Sequence, residues 1–108
     1  MALDVPKLRK LVALDEDDPL SRFALGQALF QEGSSESLSE AAEHLTFANA
    51  KAPEHLATYH ILGQVLIKLH RNDEARSVLT SGCERVGLVG DGMGRDLGPA
   101  MAVLLRPL

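Results

Sequence analysis

The chain has 108 residues, of which 45% are hydrophobic and 24% charged, and its formal net charge is -4. These proportions are typical of one ordinary globular domain, and they argue against a disordered or fibrous chain. Nucleic acid binding needs a concentrated positive surface, but the basic residues at 7, 9 and 10 are followed at once by the acidic run 15–18. Nucleic acid is therefore not an expected partner.

Cysteine content and hydropathy indicate where the chain resides. The single cysteine, Cys83, excludes an internal disulfide and any metal site built from several cysteines. The longest apolar stretch, Ala100 to Leu105, is far shorter than the roughly 20 residues that span a bilayer. The chain also begins without the basic segment and apolar run of a signal peptide. We expect a cytoplasmic protein with no membrane partner.

Apolar residues recur at helical spacing along the chain. A helical segment at 4–16 ends in the acidic run, which supplies the cap for a helix that opens at Pro19 and stops at Gly33. A third helix at 37–51 is ended by Pro53. Two further helices are predicted at 56–69 and 73–86. No segment has the pattern of a strand.

A last helix is predicted after the glycine-rich stretch that begins at Gly87. It starts at Asp96 or a neighbouring residue and covers about 95–106, with Pro99 in its first turn. One stripe is expected to pack against the repeat before it and consists of Leu97, Met101 and Leu104. The other apolar side chains predict a second, exposed face that either mediates self-association, docks a partner or is incidental to a capping helix; they are Val103, Leu105 and Leu108.

An internal repeat groups the predicted helices into pairs. The segment Ala24–Leu29 matches Ile61–Leu66 at an offset of 37, whereas later positions match at an offset of 34: Ala41, Leu45 and Ala48 with Ala75, Leu79 and Gly82. The difference implies a three-residue insertion, which we expect in a Gly- and Ser-rich loop at 32–37. Small residues at matching positions let helix backbones approach closely, with leucines filling the space between them.

These residues resemble the signature of the tetratricopeptide repeat. The second unit carries Tyr59, Leu62, Gly63, Leu66, Ala75, Leu79 and Gly82 at the signature positions, and the first carries Leu25, Gly26, Leu29, Ala41, Leu45, Ala48 and Pro53. Arg22 stands where the family has an aromatic residue. The resemblance implies an all-α fold, an α-α superhelix of antiparallel helix pairs with a C-terminal capping helix, in one domain at 1–108. Its parts would be a half repeat at 4–16 and repeats at 19–53 and 54–87.

The resemblance also implies a function. The family binds a peptide or a helix of a partner protein in a concave groove lined by the first helix of each pair. The expected partner-binding residues are therefore Leu20, Phe23, Gln27, Phe30 and Gln31 in one unit, and Ala57, His60, Gln64, Ile67 and Lys68 in the other. Two alternatives stay open: the phenylalanines belong to the core, and the chain is a self-associating homo-oligomer with no separate ligand.

No residues predict catalysis, a cofactor or a metal. The glycine-rich segment 90–94 lacks the preceding strand and the Lys-Ser/Thr ending of a phosphate loop, so it is predicted to be a connector. The four histidines are not spaced to place two ligands on one helical face. Cys83 is predicted to be a small packing residue rather than a nucleophile. We therefore expect a protein that is not an enzyme.

Overall fold

A computed structural model describes residues 4–89 and 92–108, and the side chains of residues 4–87 and 97–108. These residues contain six helices and no strand: α1 (Val5–Leu14), α2 (Pro19–Glu32), α3 (Ser35–Lys51), α4 (Leu56–Lys68), α5 (Asn72–Val89) and α6 (Gly92–Leu105). The chain divides into two compact units, Met1–Pro53 and Glu54–Leu108. The predicted all-α class is confirmed.

In the first unit, α2 packs against both α1 and α3. Each of the three helices begins after a residue whose side chain accepts a hydrogen bond from a free backbone N–H: Asp4, Asp18 and Ser34. α2 ends at Gly33, whose φ of 77° lies in the left-handed region that glycine adopts without strain. The cap predicted in the acidic run 15–18 is therefore confirmed and is Asp18, and the predicted stop at Gly33 is also confirmed.

The three extra residues of the first repeat lengthen a helix instead of a loop. α3 begins six residues before Ala41, whereas α5 begins three residues before the matching Ala75. Only Gly33 and Ser34 connect α2 to α3, so the predicted loop at 32–37 is wrong. The Ser34 hydroxyl accepts a hydrogen bond of 3.1 Å from a backbone N–H in the first turn of α3, which lets the helix start early.

In each repeat, a leucine side chain of the second helix packs directly against a glycine of the first helix. A Cβ atom at Gly26 would lie 2.6 Å from Cγ of Leu45, and one at Gly63 would lie 2.4 Å from Cδ2 of Leu79. Both leucines are fully buried. Since carbon atoms normally pack about 3.5–4.0 Å apart, a larger residue at either glycine would displace the leucine. The repeated contact confirms that these small residues allow close helix packing.

In the second unit, α4, α5 and α6 all pack against one another. Tyr59, Leu79 and Met101 form the buried centre. The last helix begins at Gly92, earlier than the predicted 95, so Pro99 lies inside it and not in its first turn. Because proline has no N–H, it cannot donate to the carbonyl one turn earlier, and the helix lacks that hydrogen bond.

The second apolar face predicted for the last helix is largely absent. Leu105 and Leu108 pack against the buried centre of the unit, and Val103, at 56% exposure, is the one large hydrophobic side chain of the described part of the unit that is exposed. The Arg76 guanidinium donates a hydrogen bond to the backbone carbonyl of Leu108, which holds this segment against α5. The prediction of a broad exposed face is wrong because the chain turns back after the helix ends.

Candidate partner-binding faces

The predicted binding residues of the first unit lie on one face of α2, since they are three or four residues apart. Leu20 is 58% exposed and Gln31 is also exposed, whereas Phe23, Gln27 and Phe30 are half-buried. Neither phenylalanine belongs to the fully buried core. Each ring therefore packs in part against its own unit and leaves a part that a partner could contact.

The predicted residues of the second unit share one face of α4 in the same way. Ala57, His60, Gln64 and Ile67 are half-buried, and Lys68 is exposed. Ile67 also packs against the buried centre of the unit, so the fold already uses part of its side chain. What remains accessible on this face is mainly polar.

His60 and Gln64 form a pair one helical turn apart. Nε2 of Gln64 lies 2.8 Å from Nε2 of His60. Burial lowers the pKa of the His60 imidazole, which favours its neutral form at neutral pH. A neutral imidazole accepts at one nitrogen and donates at the other. With Nε2 accepting from the Gln64 amide, the proton of the neutral His60 ring lies on Nδ1.

A polar network in the first unit was not predicted, and it shows what Arg22 does in place of an aromatic residue. The Arg22 guanidinium lies 4.2 Å from the centroid of the Phe47 ring. It donates a hydrogen bond of 2.9 Å to the backbone carbonyl of Glu16, and its Nη1 lies 3.3 Å from Nδ1 of His44. Stacking of a guanidinium on an aromatic face is favourable. Arg22 therefore packs against α3 by stacking on the Phe47 ring.

Glu40 joins α1 to α3 in the same network. Both of its carboxylate oxygens accept from the Arg9 guanidinium, one of them from Nη2 at 2.9 Å, and Nε2 of His44 lies 3.1 Å from the carboxylate. The hydrogen bond with Arg9 is the main reason that the pKa of Glu40 is lowered to about 2, although burial opposes the shift. Glu40 is therefore charged at neutral pH.

A cleft of about 220 Å³ lies beside this network. Its walls contain Arg9, Glu40 and His44, together with the apolar side chains of Val12 and Leu25. Three of the polar groups in these walls bind one another, since Glu40 pairs with both Arg9 and His44, and the cleft is also lined by Glu16. The ion pair of Arg9 with Glu40 links α1 to α3.

The structure shows no arrangement for metal or thiol chemistry in the residues that it describes. Among the side chains that the structure describes, at 4–87 and 97–108, no three His, Cys, Asp or Glu groups lie close enough to hold a metal ion. Cys83 is half-buried against the buried centre of its unit, and burial raises the pKa of its thiol, which makes it a poor nucleophile. The connector predicted at 90–94 is wrong for residues 92–94, which form the first turn of α6, and residues 90 and 91 lie outside the described residues.

Comparison with known proteins identifies a family. Residues 7–81 match the family described as anaphase-promoting complex, cyclosome, subunit 3, which is a family of tetratricopeptide-type repeats. The match extends from α1 to residue 81 in α5, so it covers the first repeated helix pair, α4 and the first ten residues of α5. No curated protein matches the chain. None of the helices in the described residues is long and apolar enough to cross a membrane.

Proposed function

Because the chain belongs to the tetratricopeptide-type repeat family described as anaphase-promoting complex, cyclosome, subunit 3, we propose that it is a scaffold or adaptor that binds a peptide or a helix of a partner protein and catalyses no reaction. Repeats of this type are protein-interaction modules in general. The description of the family names one subunit of a complex, and assembly with other proteins is the property that we carry over to this chain. The single cysteine favours a cytoplasmic location.

One observation supports this proposal most directly: the α2 and α4 faces correspond position by position. At the repeat offset of 37, Gln27 matches Gln64, and both are half-buried. The ring of Phe23 matches the ring of His60 in the same way. Each face thus places one adaptable amide beside one partly accessible ring, a combination that suits recognition of a peptide backbone and an apolar anchor.

In this proposal each of the two faces contacts the partner. Phe23 and Phe30 receive apolar side chains of the partner. Gln27 and Gln64 hydrogen-bond to its backbone, and Lys68 adds one positive charge. His60 stays neutral at neutral pH because burial lowers its pKa, so it contributes a hydrogen bond and not a charge.

Affinity capture from native lysate tests this assignment. The wild type is compared with a Phe23→Asp, Gln64→Ala double variant that circular dichroism shows to be helical. The matched control is a Ser39→Asp, Thr80→Asp variant, since both residues are exposed and lie on the second helices of the repeats. The captured protein is then produced and its affinity for all three forms measured by titration calorimetry.

We expect the wild type and the control to bind the same protein directly and with equal affinity, and the double variant to lose that binding. Equal binding by the double variant would show that the two faces are not the site. Loss of binding in the control variant alone would place the site on the second helices and contradict the proposal.

A further inference from the structure

The cleft beside Glu40 lies between α1 and α3, and these two helices supply its opposite walls. Arg9, Val12 and Ala13 line it from α1, and they share one face of that helix because they lie three or four residues apart. Glu40 and His44 lie one turn apart on α3 and line the facing wall. We call this space the α1–α3 cleft.

The two ends of the α1–α3 cleft carry different groups. Arg9 and Glu40 form an ion pair at one end, and His44 also pairs with Glu40. Glu16 belongs to the turn that follows α1, so it lines the other end. Of these two carboxylates, Glu40 is already bound on two sides, whereas Glu16 is exposed and accessible to a ligand.

The protein surface at the Glu16 end is negative. Asp15 and Asp17 flank Glu16 in the chain, and both are exposed. The guanidinium of Arg22 also reaches this end, but it binds the backbone carbonyl of Glu16 and stacks on the Phe47 ring. Three carboxylates thus outnumber one guanidinium here, which favours the approach of a positively charged group.

Between its two ends the α1–α3 cleft is lined by apolar side chains. Val12 and Ala13 lie on one wall, and Leu25 of α2, which is almost fully buried, forms the floor. The cleft volume of about 220 Å³ is below the roughly 300–1,000 Å³ of sites that hold small molecules. Its size therefore suits a single side chain, and its lining suits one with an apolar stem and a positive head.

We propose that the α1–α3 cleft binds a lysine side chain of a basic peptide. The aliphatic stem of the lysine lies on Val12, Ala13 and Leu25, and its ammonium group pairs with Glu16. Lysine commonly buries its stem along apolar surface while its charged head stays in water, and this cleft offers both surroundings. None of the residues that line the cleft is assigned to the α2 and α4 faces. This binding site therefore does not depend on the function proposed above, and the two are tested separately.

Titration of the ¹⁵N-labelled full chain with short peptides, followed by NMR, tests the site. The probe is a capped pentapeptide with two glycines on either side of one lysine. Norleucine in place of lysine keeps the stem without the charge, and diaminobutyric acid keeps the charge on a shorter stem. Ala13→Leu fills the cleft, and Ala50→Leu is its control because Ala50 is also exposed on a helix of this unit. Glu16→Gln removes the carboxylate, with Asp17→Asn as its control. Circular dichroism verifies that every variant is helical.

We expect the lysine peptide to bind the wild type with a dissociation constant on the order of 1 mM and to shift the amide signals of Val12, Ala13 and Glu16 most. Ala13→Leu should abolish this binding. Glu16→Gln should raise the dissociation constant about fivefold, the upper end for an exposed ion pair, and both controls should change it about twofold or less. Equal binding of the lysine peptide and either altered peptide would overturn the proposal. So would unchanged binding by Ala13→Leu, or a wild type whose signals do not move.

Discussion

Replacement of Gly63 by alanine tests the close packing on which the repeat depends. A Cβ at this position would lie 2.4 Å from Cδ2 and 2.6 Å from Cγ of Leu79. Normal carbon contacts are about 3.5–4.0 Å, so Leu79 would have to move by about 1 Å. Leu79 is fully buried in the centre of its unit and has no solvent into which it could turn.

Two effects of opposite sign determine the result. Overpacking of a well-filled core costs about 1–3 kcal/mol. Alanine in place of glycine inside a helix raises the free energy of unfolding by about 1 kcal/mol, because alanine has the higher helix propensity. We therefore expect Gly63→Ala to lower the free energy of unfolding by about 1 kcal/mol, which corresponds to a fall in Tm of about 4–8 °C for a chain of this size.

Gly87→Ala is the matched control. Gly87 also lies in a helix, α5, but it is exposed and a Cβ there would meet nothing within 4 Å. Only the gain in helix propensity applies, so this variant should be more stable than the wild type by up to about 1 kcal/mol. The same substitution is thus expected to have opposite effects at the two sites, as measured by urea unfolding followed by circular dichroism.

The double variant Gly63→Ala with Leu79→Val separates the contact from other causes. Valine is shorter and relieves the collision, so the double variant should lose less stability than the sum of the two single changes. If Gly63→Ala stabilises the protein as much as Gly87→Ala does, or if the two changes at 63 and 79 are additive, the packing described for α4 and α5 is wrong.

Two further predictions concern backbone conformation and acid stability. His70 has a φ of 60°, so His70→Gly should stabilise the protein by about 0.5–1 kcal/mol in urea unfolding, and a loss of stability would contradict the left-handed conformation. On folding, the pKa of Glu40 falls from 4.5 to about 2. The contribution of Glu40 to the free energy of unfolding is therefore complete above pH 4.5, and it is lost as the pH falls from 4.5 to about 2. With allowance for solvent screening it amounts to about 1 kcal/mol, so the stability difference between wild type and Glu40→Gln should shrink over that interval. A difference that stays constant down to pH 2 would contradict the Arg9 ion pair.

Much of the fold could be predicted because its signals are local. The cap at Asp18 acts on the first turn of its own helix, and Gly33 ends the same helix through its own φ. The repeat that is visible in the chain itself indicated which small residues, Gly63 among them, lie where helices pack closely. Helix existence, order and the close-packing positions therefore needed no knowledge of distant residues.

The features that were missed depend on residues far apart in sequence. Arg9 and Glu40 meet across 31 positions, and which surface charges pair depends on how each helix is rotated against its neighbours. The burial of Leu108 depends in the same way on Arg76 in another helix. The face of Leu20, Phe23 and Gln27 was predicted from the family resemblance, and its role in partner binding stays a proposal.

The most direct test of the central claim is to map where a bound peptide contacts the chain. Peptides selected from a random display library on the purified protein would be titrated into ¹⁵N-labelled protein, and the amide shifts followed by NMR. We predict that the largest shifts occur on α2 and α4, at Phe23, Gln27, His60 and Gln64. Shifts centred on the exposed faces of α3 and α5, with the signals of α2 and α4 unmoved, would contradict the claim that the first helix of each repeat binds the partner.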